Sequence, residues 1–240
     1  QQPTRIGVGT PPPPPRSPSG LPSAPPPAAT DKALKPIQIQ ISKEEQKQID
    51  EEEKRWQAKK AAFQEDLKVI QPAFLKAAEL AEDCQIKDSA MAYLAAIASD
   101  FERDVEYRQW LFKRLESPCA TNVARAETYY ALGVNQWSCA YRLTSKYENA
   151  KLKYSDPFHF RAITNPADKR QLESCLTACA TYLEKALETD ANYVDAVFYK
   201  GLLYREKQKI TANPVERKKL ADEAAKISKR AVELMNQRSK

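Results

Sequence analysis

CATYLEKALETDANYVDAVFYKGLLY, residues 179–204, contains one of only two glycines that follow residue 42. That glycine, Gly201, lies in the pattern VxxKGxxY at 197–204, and Gly133 lies in the matching pattern YxxLGxxQ at 129–136. A glycine in the interior of a helix costs about 1 kcal/mol relative to alanine. Two glycines at matching positions therefore indicate helix–helix crossings that are too close to accommodate a side chain.

Residues 179–193 resemble the second helix and turn of a tetratricopeptide repeat, and 197–204 resembles the first helix of the next repeat. Ala191 stands where the family usually has a proline. A third copy, MxxLAxxA at 91–98, is followed by a partner helix and stop at 110–118. The resemblance covers about 88–236, with longer connections in the two later repeats, and is closest to exported bacterial tetratricopeptide proteins with a proline-rich arm.

The resemblance implies a solenoid of about three helical hairpins that binds proteins and performs no catalysis. In this family the first helix of each hairpin lines the concave face. Matching repeat positions gives four partner contacts: Tyr130, Trp137, Phe198 and Arg205. The alternative is that these aromatic residues pack inside the fold. The residues expected at the packing positions of the repeats are Ala95, Gly133, Gly201 and Ala186.

The prolines divide the chain into an arm and a body. Twelve of the 17 prolines and three of the five glycines fall within the first 42 of the 240 residues. The glycine-poor body disfavours an all-β fold, which needs many turns. We therefore predict an all-α protein with an extended arm at 1–41, a long helix at 42–86 and a repeat domain at 87–240.

The arm is expected to form polyproline II structure and to contain two strand-like segments. Residues 37–41 (IQIQI) alternate strictly, and residues 4–10 alternate apolar and small side chains, so both could add to the sheet edge of a neighbouring molecule. Packing of the isoleucines on the helical body is the alternative. The candidate contacts are Ile6, Val8, Ile37, Ile39 and Ile41, and the candidate O-glycosylation sites are Thr10, Ser17, Ser19, Ser23 and Thr30.

A long helix is predicted to begin after the capping box that Ser42 and Glu45 form. Apolar residues recur every seven positions at Ile49, Trp56, Phe63 and Ile70, although the first turns are almost entirely polar. The polar part is expected to project into solvent or against another subunit. Pro72 is expected to kink or restart the helix.

Five cysteines bear on the cellular compartment. Cys175 and Cys179 lie on one helical face, where one of them could meet Cys139, so Cys139–Cys175 is the first candidate disulfide; buried free thiols are the alternative. The sequence begins Gln-Gln-Pro, as a precursor could after removal of a signal peptide, whereas a truncated chain would look the same. We expect an extracellular, periplasmic or cell-envelope protein.

Other function classes find little support in the residues. The net charge of +6 is spread over both parts of the chain, which disfavours nucleic acid as a partner. The single histidine, His159, has no evident partner residue, and neither metal-ligand spacings nor a phosphate-binding loop are present, so we expect no enzyme and no cofactor. No apolar run is long enough to span a membrane.

Two functions remain as hypotheses. The first is a self-assembling filament subunit whose arm docks on a neighbouring copy, with other envelope proteins as further partners. The second is an exported monomeric adaptor that holds a partner protein or peptide in its concave groove. The first hypothesis is preferred because it gives the arm and its strand-like segments a surface to bind.

Overall fold

The computed structural model describes residues 43–149, 151–152 and 159–238. These residues are all-α, as predicted, and form seven helices. The predicted arm and its candidate sites at 1–41 lie outside them. The helices are α1 (Lys43–Leu80), α2 (Cys84–Asp100), α3 (Asp104–Glu116), α4 (Asn122–Ser145), α5 (Pro166–Thr189), α6 (Val194–Ile210) and α7 (Pro214–Arg238).

The chain divides into two compact units, Gln1–Val69 and Ile70–Lys240. In the first unit the described residues belong to α1, whose Glu65–Lys68 pair is fully exposed to solvent. The side chains of Ile49, Trp56 and Phe63 lie outside the described part of the helix.

The second unit begins within α1, which continues through Pro72 to Leu80 without a restart. The segment predicted as one helix to residue 86 therefore contains the end of α1 and the start of α2. The carboxylate of Asp83 sets that start, because its Oδ1 accepts hydrogen bonds from the amides of Gln85 and Ile86. Such capping satisfies amides that have no partner inside the helix.

Six helices of the second unit form three consecutive hairpins, α2–α3, α4–α5 and α6–α7. Within the first hairpin and within the third, a connection of three residues joins the two helices, so the two helices run antiparallel. Successive hairpins also contact one another, because α4 packs on α3 and α6, and α5 packs on α6. Each hairpin is thus stabilised by the next one along the chain.

Two apolar cores lie between these helices. One core joins α4, α5 and α6 around Leu172, Leu183 and Leu203. The other joins the end of α1 to α2, α3 and α4 around Leu94, Trp110 and Leu132. Trp110, in the segment predicted as the partner helix of the first hairpin, is buried there.

The two glycines mark close contacts between paired helices. A Cβ atom on Gly133 would lie 2.8 Å from Cδ2 and 2.9 Å from Cγ of Leu183, which is itself fully buried. A Cβ on Gly201 would lie 3.2 Å from Ser228 Oγ on α7. Ala95 and Ala186, the other predicted packing positions, are also buried.

Two disulfides are present, and each one crosslinks the two halves of a single hairpin. Cys84 at the start of α2 bonds to Cys119, which follows α3. Cys139 on α4 bonds to Cys175 on α5, the pair that the sequence analysis placed first. Cys179 is free and buried, and burial raises the pKa of its thiol to about 12.

The Gly133 contact predicts an asymmetry between two alanine variants. Gly133→Ala should lower the free energy of unfolding by about 1 kcal/mol, because overpacking against Leu183 exceeds the gain in helix propensity. Gly201→Ala is the matched control, and its looser contact should leave stability equal or slightly higher. Urea unfolding followed by circular dichroism gives both values. Equal stability of the two variants would contradict the prediction.

The disulfide pattern predicts how thiol reagents react. The unreduced chain should react with iodoacetamide at one thiol, Cys179, and only after denaturation, because burial keeps this thiol protonated and inaccessible. Non-reducing peptide mapping should recover the 84–119 and 139–175 links. Replacing Cys139 and Cys175 with serine should cost about 2–4 kcal/mol of stability, whereas Cys179→Ala should cost about 1 kcal/mol. Five reactive thiols after denaturation would contradict this pattern.

Candidate interaction surface

The predicted partner contacts differ in their accessibility. Phe198 on α6 is 46% exposed, and Tyr130 on α4 and Arg205 on α6 are partly buried. Phe198 therefore presents an aromatic ring to solvent. The five predicted contacts in the arm lie outside the described residues.

Trp137 is a packing residue in this structure and not an accessible contact. It is only 5% exposed. Its ring stacks on Tyr141 with centroids 5.2 Å apart and meets the edge of Tyr199 at 5.4 Å. The alternative of internal packing therefore describes Trp137, because α6 covers the face of α4 that carries it.

Tyr130 lies in a cluster of tyrosines between α4 and α6. Its ring centroid is 5.4 Å from that of Tyr193 and 5.5 Å from that of Tyr199. Burial raises the pKa of Tyr130, and burial together with the nearby Glu127 carboxylate raises the pKa of Tyr193 to about 12. Both phenols thus stay neutral at physiological pH and can donate hydrogen bonds.

His159 is buried and has polar partners, contrary to the sequence-based expectation. Its Nδ1 lies 2.9 Å from the Leu152 carbonyl oxygen, and its Nε2 lies 2.9 Å from Glu148 Oε1. The amide of Asn149 donates to the His159 carbonyl at 2.7 Å. These contacts tie the two ends of the insertion between α4 and α5 to each other.

A buried charged pair on α6 fixes the position of this insertion. Lys209 Nζ donates to Glu206 Oε1 at 2.7 Å, and the two side chains are 8% and 3% exposed. Thr144 Oγ1 on α4 donates to the other Glu206 oxygen at 2.7 Å. The Lys209 ammonium also lies 5.0 Å from the Tyr141 ring and 4.9 Å from the Phe160 ring. The pair thereby connects α6, α4 and the insertion.

Sequence reasoning missed this network. Glu206 and Lys209 lie three residues apart, a spacing that is equally common on solvated helix faces. The contacts that mark the pair as buried come from Thr144, Tyr141 and Phe160, which the fold brings beside it from outside α6.

A second charged cluster holds the first two hairpins together. Arg114 on α3 donates two hydrogen bonds to the Asp88 carboxylate on α2, both at 2.7 Å, and one to Glu127 on α4 at 3.1 Å. A bidentate arginine–carboxylate pair fixes orientation as well as distance. The α2–α3 hairpin therefore has a defined position on α4.

An open groove of about 630 Å³ runs along α6 and α7. Its floor includes Leu187, Val197 and Ile227, and its walls carry both charges. Its basic residues are Lys200, Lys226, Lys229 and Arg230, and its acidic residues are Glu223 and Glu233.

The last helix also exposes apolar side chains. Val215 is 78%, Val232 50% and Met235 51% exposed on α7. The terminal helix of a hairpin array normally presents a polar outer face to solvent. Val232 and Met235 lie one turn apart near the end of α7 and form a small candidate contact, whereas Val215 lies at its start, about 25 Å away along the helix axis.

The described residues contain no group of three or more His, Cys, Asp or Glu side chains that could hold a metal ion. Within the same residues, no helix has the length and apolar character needed to cross a bilayer.

The buried pair predicts a large difference between two lysine substitutions. Lys209→Met should destabilise the fold by roughly 3–5 kcal/mol, because it leaves the Glu206 carboxylate buried without its cation. Lys68→Met, the control, removes an exposed partner of Glu65 and should cost at most about 1 kcal/mol. The double variant Glu206→Gln/Lys209→Met should recover part of the loss. Urea unfolding of the three variants tests this, and equal stability of the two single variants would refute it.

Comparison with protein-family models, with curated proteins and with solved structures finds no match to this chain.

Proposed function

We propose that this protein is a non-catalytic interaction protein of the tetratricopeptide type. Three successive hairpins support the proposal, as does packing of each hairpin on the next. The close contact of Gly133 with the paired helix also fits, since the family has a small residue at this position. In this proposal the hairpins form a solenoid.

The protein assembles with copies of itself into a filament, and its arm docks on a neighbouring copy. The observation that carries this proposal is the exposure of three apolar side chains on α7, Val215, Val232 and Met235. An uncovered end of a repeat array is a liability unless another surface covers it. A second copy of the chain supplies such a surface at every step of a filament.

The filament belongs outside the cytosol, in the extracellular space or the cell envelope. Two disulfides in one helical domain support this location, because disulfides persist in oxidising compartments and are rare in the cytosol. Other envelope proteins are further partners in this proposal.

One observation favours a second function, that of an adaptor which binds a peptide in its groove. Phe198 is 46% exposed on a first helix of a hairpin, with the partly buried Arg205 two turns further along α6. Aromatic and arginine side chains dominate the energy of protein interfaces. An adaptor would lose its partner on Phe198→Ala, whereas filament assembly through α7 and the arm would continue.

If the protein self-assembles, the size of its particles should increase with protein concentration. Removing the arm or altering α7 should reduce that size. The full chain should form oligomers in sedimentation velocity and filaments in negative-stain electron microscopy. A chain that begins at Ser42 and the variant Val215→Asp/Val232→Asp should both shift towards monomer, because each removes one contact.

The control for these changes is Val69→Asp, which alters an exposed apolar residue of α1 and should leave assembly unchanged. Circular dichroism verifies that every variant keeps its helix content. A full chain that stays monomeric at all concentrations would refute self-assembly and leave the adaptor function.

A further inference from the structure

The groove along α6 and α7 carries two cations that form no ion pair within 4.0 Å among the described residues. The Lys226 ammonium forms no ion pair within the described residues, and Arg230 donates only to the Ala191 carbonyl oxygen, at 3.3 Å. The other two basic side chains are compensated, since Lys229 pairs with Glu233 at 4.0 Å and Lys200 pairs with Glu184 at 3.8 Å. Glu223 is the remaining acid of the groove. Lys226 and Arg230 are one turn apart and open to solvent.

The groove has a net positive charge, so an acidic segment of a neighbouring copy is expected to bind it. The arm at 1–41 carries four basic residues and one acidic residue, so it would add positive charge to a positive site. The stretch EEQKQIDEEE at 44–53 carries six acidic residues and one lysine. This stretch forms the first turns of α1, and Glu44 and Glu51 are exposed there.

We propose that the groove beside Lys226 and Arg230 binds the acidic start of α1, residues 44–53, from a second copy of this chain. This inference rests on the proposed self-assembly and assigns it a specific contact. In this arrangement the start of α1 binds the groove, and the arm docks at a different place on the neighbouring copy.

Length supports the pairing. Ten helical residues extend about 15 Å at 1.5 Å per residue. The charged wall of the groove on α7 runs from Glu223 to Glu233 and extends about the same distance. The acidic stretch can therefore lie along the whole wall.

The charge pattern of α1 also fixes the register. Its acidic stretch is followed by four basic residues within 54–60: Lys54, Arg55, Lys59 and Lys60. A shift of α1 by two turns would bring these cations onto Lys226 and Arg230, and like charges in an interface oppose binding. The contact is thus specific for the first turns of α1.

Charge reversal in the full chain tests the contact. The groove variant Lys226→Glu/Arg230→Glu and the helix variant Glu44→Lys/Glu51→Lys should each weaken self-association at least tenfold in sedimentation velocity. A mixture of the two variants should associate again, because the reversed groove of one meets the reversed helix of the other. The matched control Lys218→Glu/Lys219→Glu reverses two exposed cations of α7 outside the groove, and it should change association less than threefold.

Salt gives an independent readout. Wild-type association should weaken between about 0.05 M and 0.5 M salt, since exposed charge pairs are screened over this range. The groove variant should lose most of this dependence.

Two negative results are distinguishable. If the wild-type chain does not self-associate, the proposed self-assembly fails and this contact fails with it. If the wild type associates, but the groove variant behaves like the control or the mixture fails to associate, the contact is refuted while self-assembly through the arm and α7 stands.

Discussion

The close packing of α4 on α5 is the contact on which the rest of the structure depends. Gly133 lets the two helices approach until its Cα faces the fully buried Leu183. The Cys139–Cys175 disulfide crosslinks the same two helices further along. Gly133 contacts Leu183, and six residues later on α4 Cys139 bonds to Cys175, which precedes Leu183 on α5. The two helices therefore run antiparallel. With the α4–α5 pair fixed, α6 can pack on both helices and α3 on α4.

The buried Glu206–Lys209 pair adds specificity to this arrangement more than stability. Burying two charges costs several kcal/mol of desolvation, which their mutual attraction repays only when the remaining hydrogen bonds are made. Thr144 satisfies the second carboxylate oxygen, and the rings of Tyr141 and Phe160 face the ammonium group. An apolar pair could pack equally well in several orientations, whereas this one requires α4, α6 and the insertion in one relative position.

The features that could be predicted from the sequence are those that depend on composition and on the spacing of residues within one helix. The all-α class followed from the scarcity of glycine and proline after residue 42, and the positions of Gly133 and Gly201 predicted close helix contacts. Helical spacing made Cys139–Cys175 the first candidate disulfide, with buried free thiols as the alternative, and the structure contains this bond. The Cys84–Cys119 bond could not be predicted in this way, because Cys84 is the first residue of α2 and Cys119 lies in a connection without a helical repeat.

Errors arose where a side chain's surroundings are set by the folded chain and not by the spacing of residues along one helix. The resemblance to tetratricopeptide repeats predicted Trp137 as a groove contact, yet Tyr199 from the next hairpin covers it. His159 has no partner residue that a sequence pattern would single out, yet Glu148 and the Leu152 carbonyl lie beside it. In both cases the side chain's partners are set by tertiary contacts, which local spacing does not encode.

The symmetry of the assembly follows from the identity of the two contact surfaces. In the proposed contact, the acidic turns of α1 and the groove on α6 and α7 are different patches, so each copy binds one neighbour through α1 and another neighbour through its groove. Such a heterologous contact leaves an unused patch at each end of every oligomer, and growth stops only if rotation closes a ring. A two-fold dimer would have to place the acidic turns of each copy in the groove of the other at the same time. Charge segregation between the first helix and the last hairpin therefore selects which patches meet in the proposed contact, whereas the rotation between copies determines whether they form a chain or a closed ring.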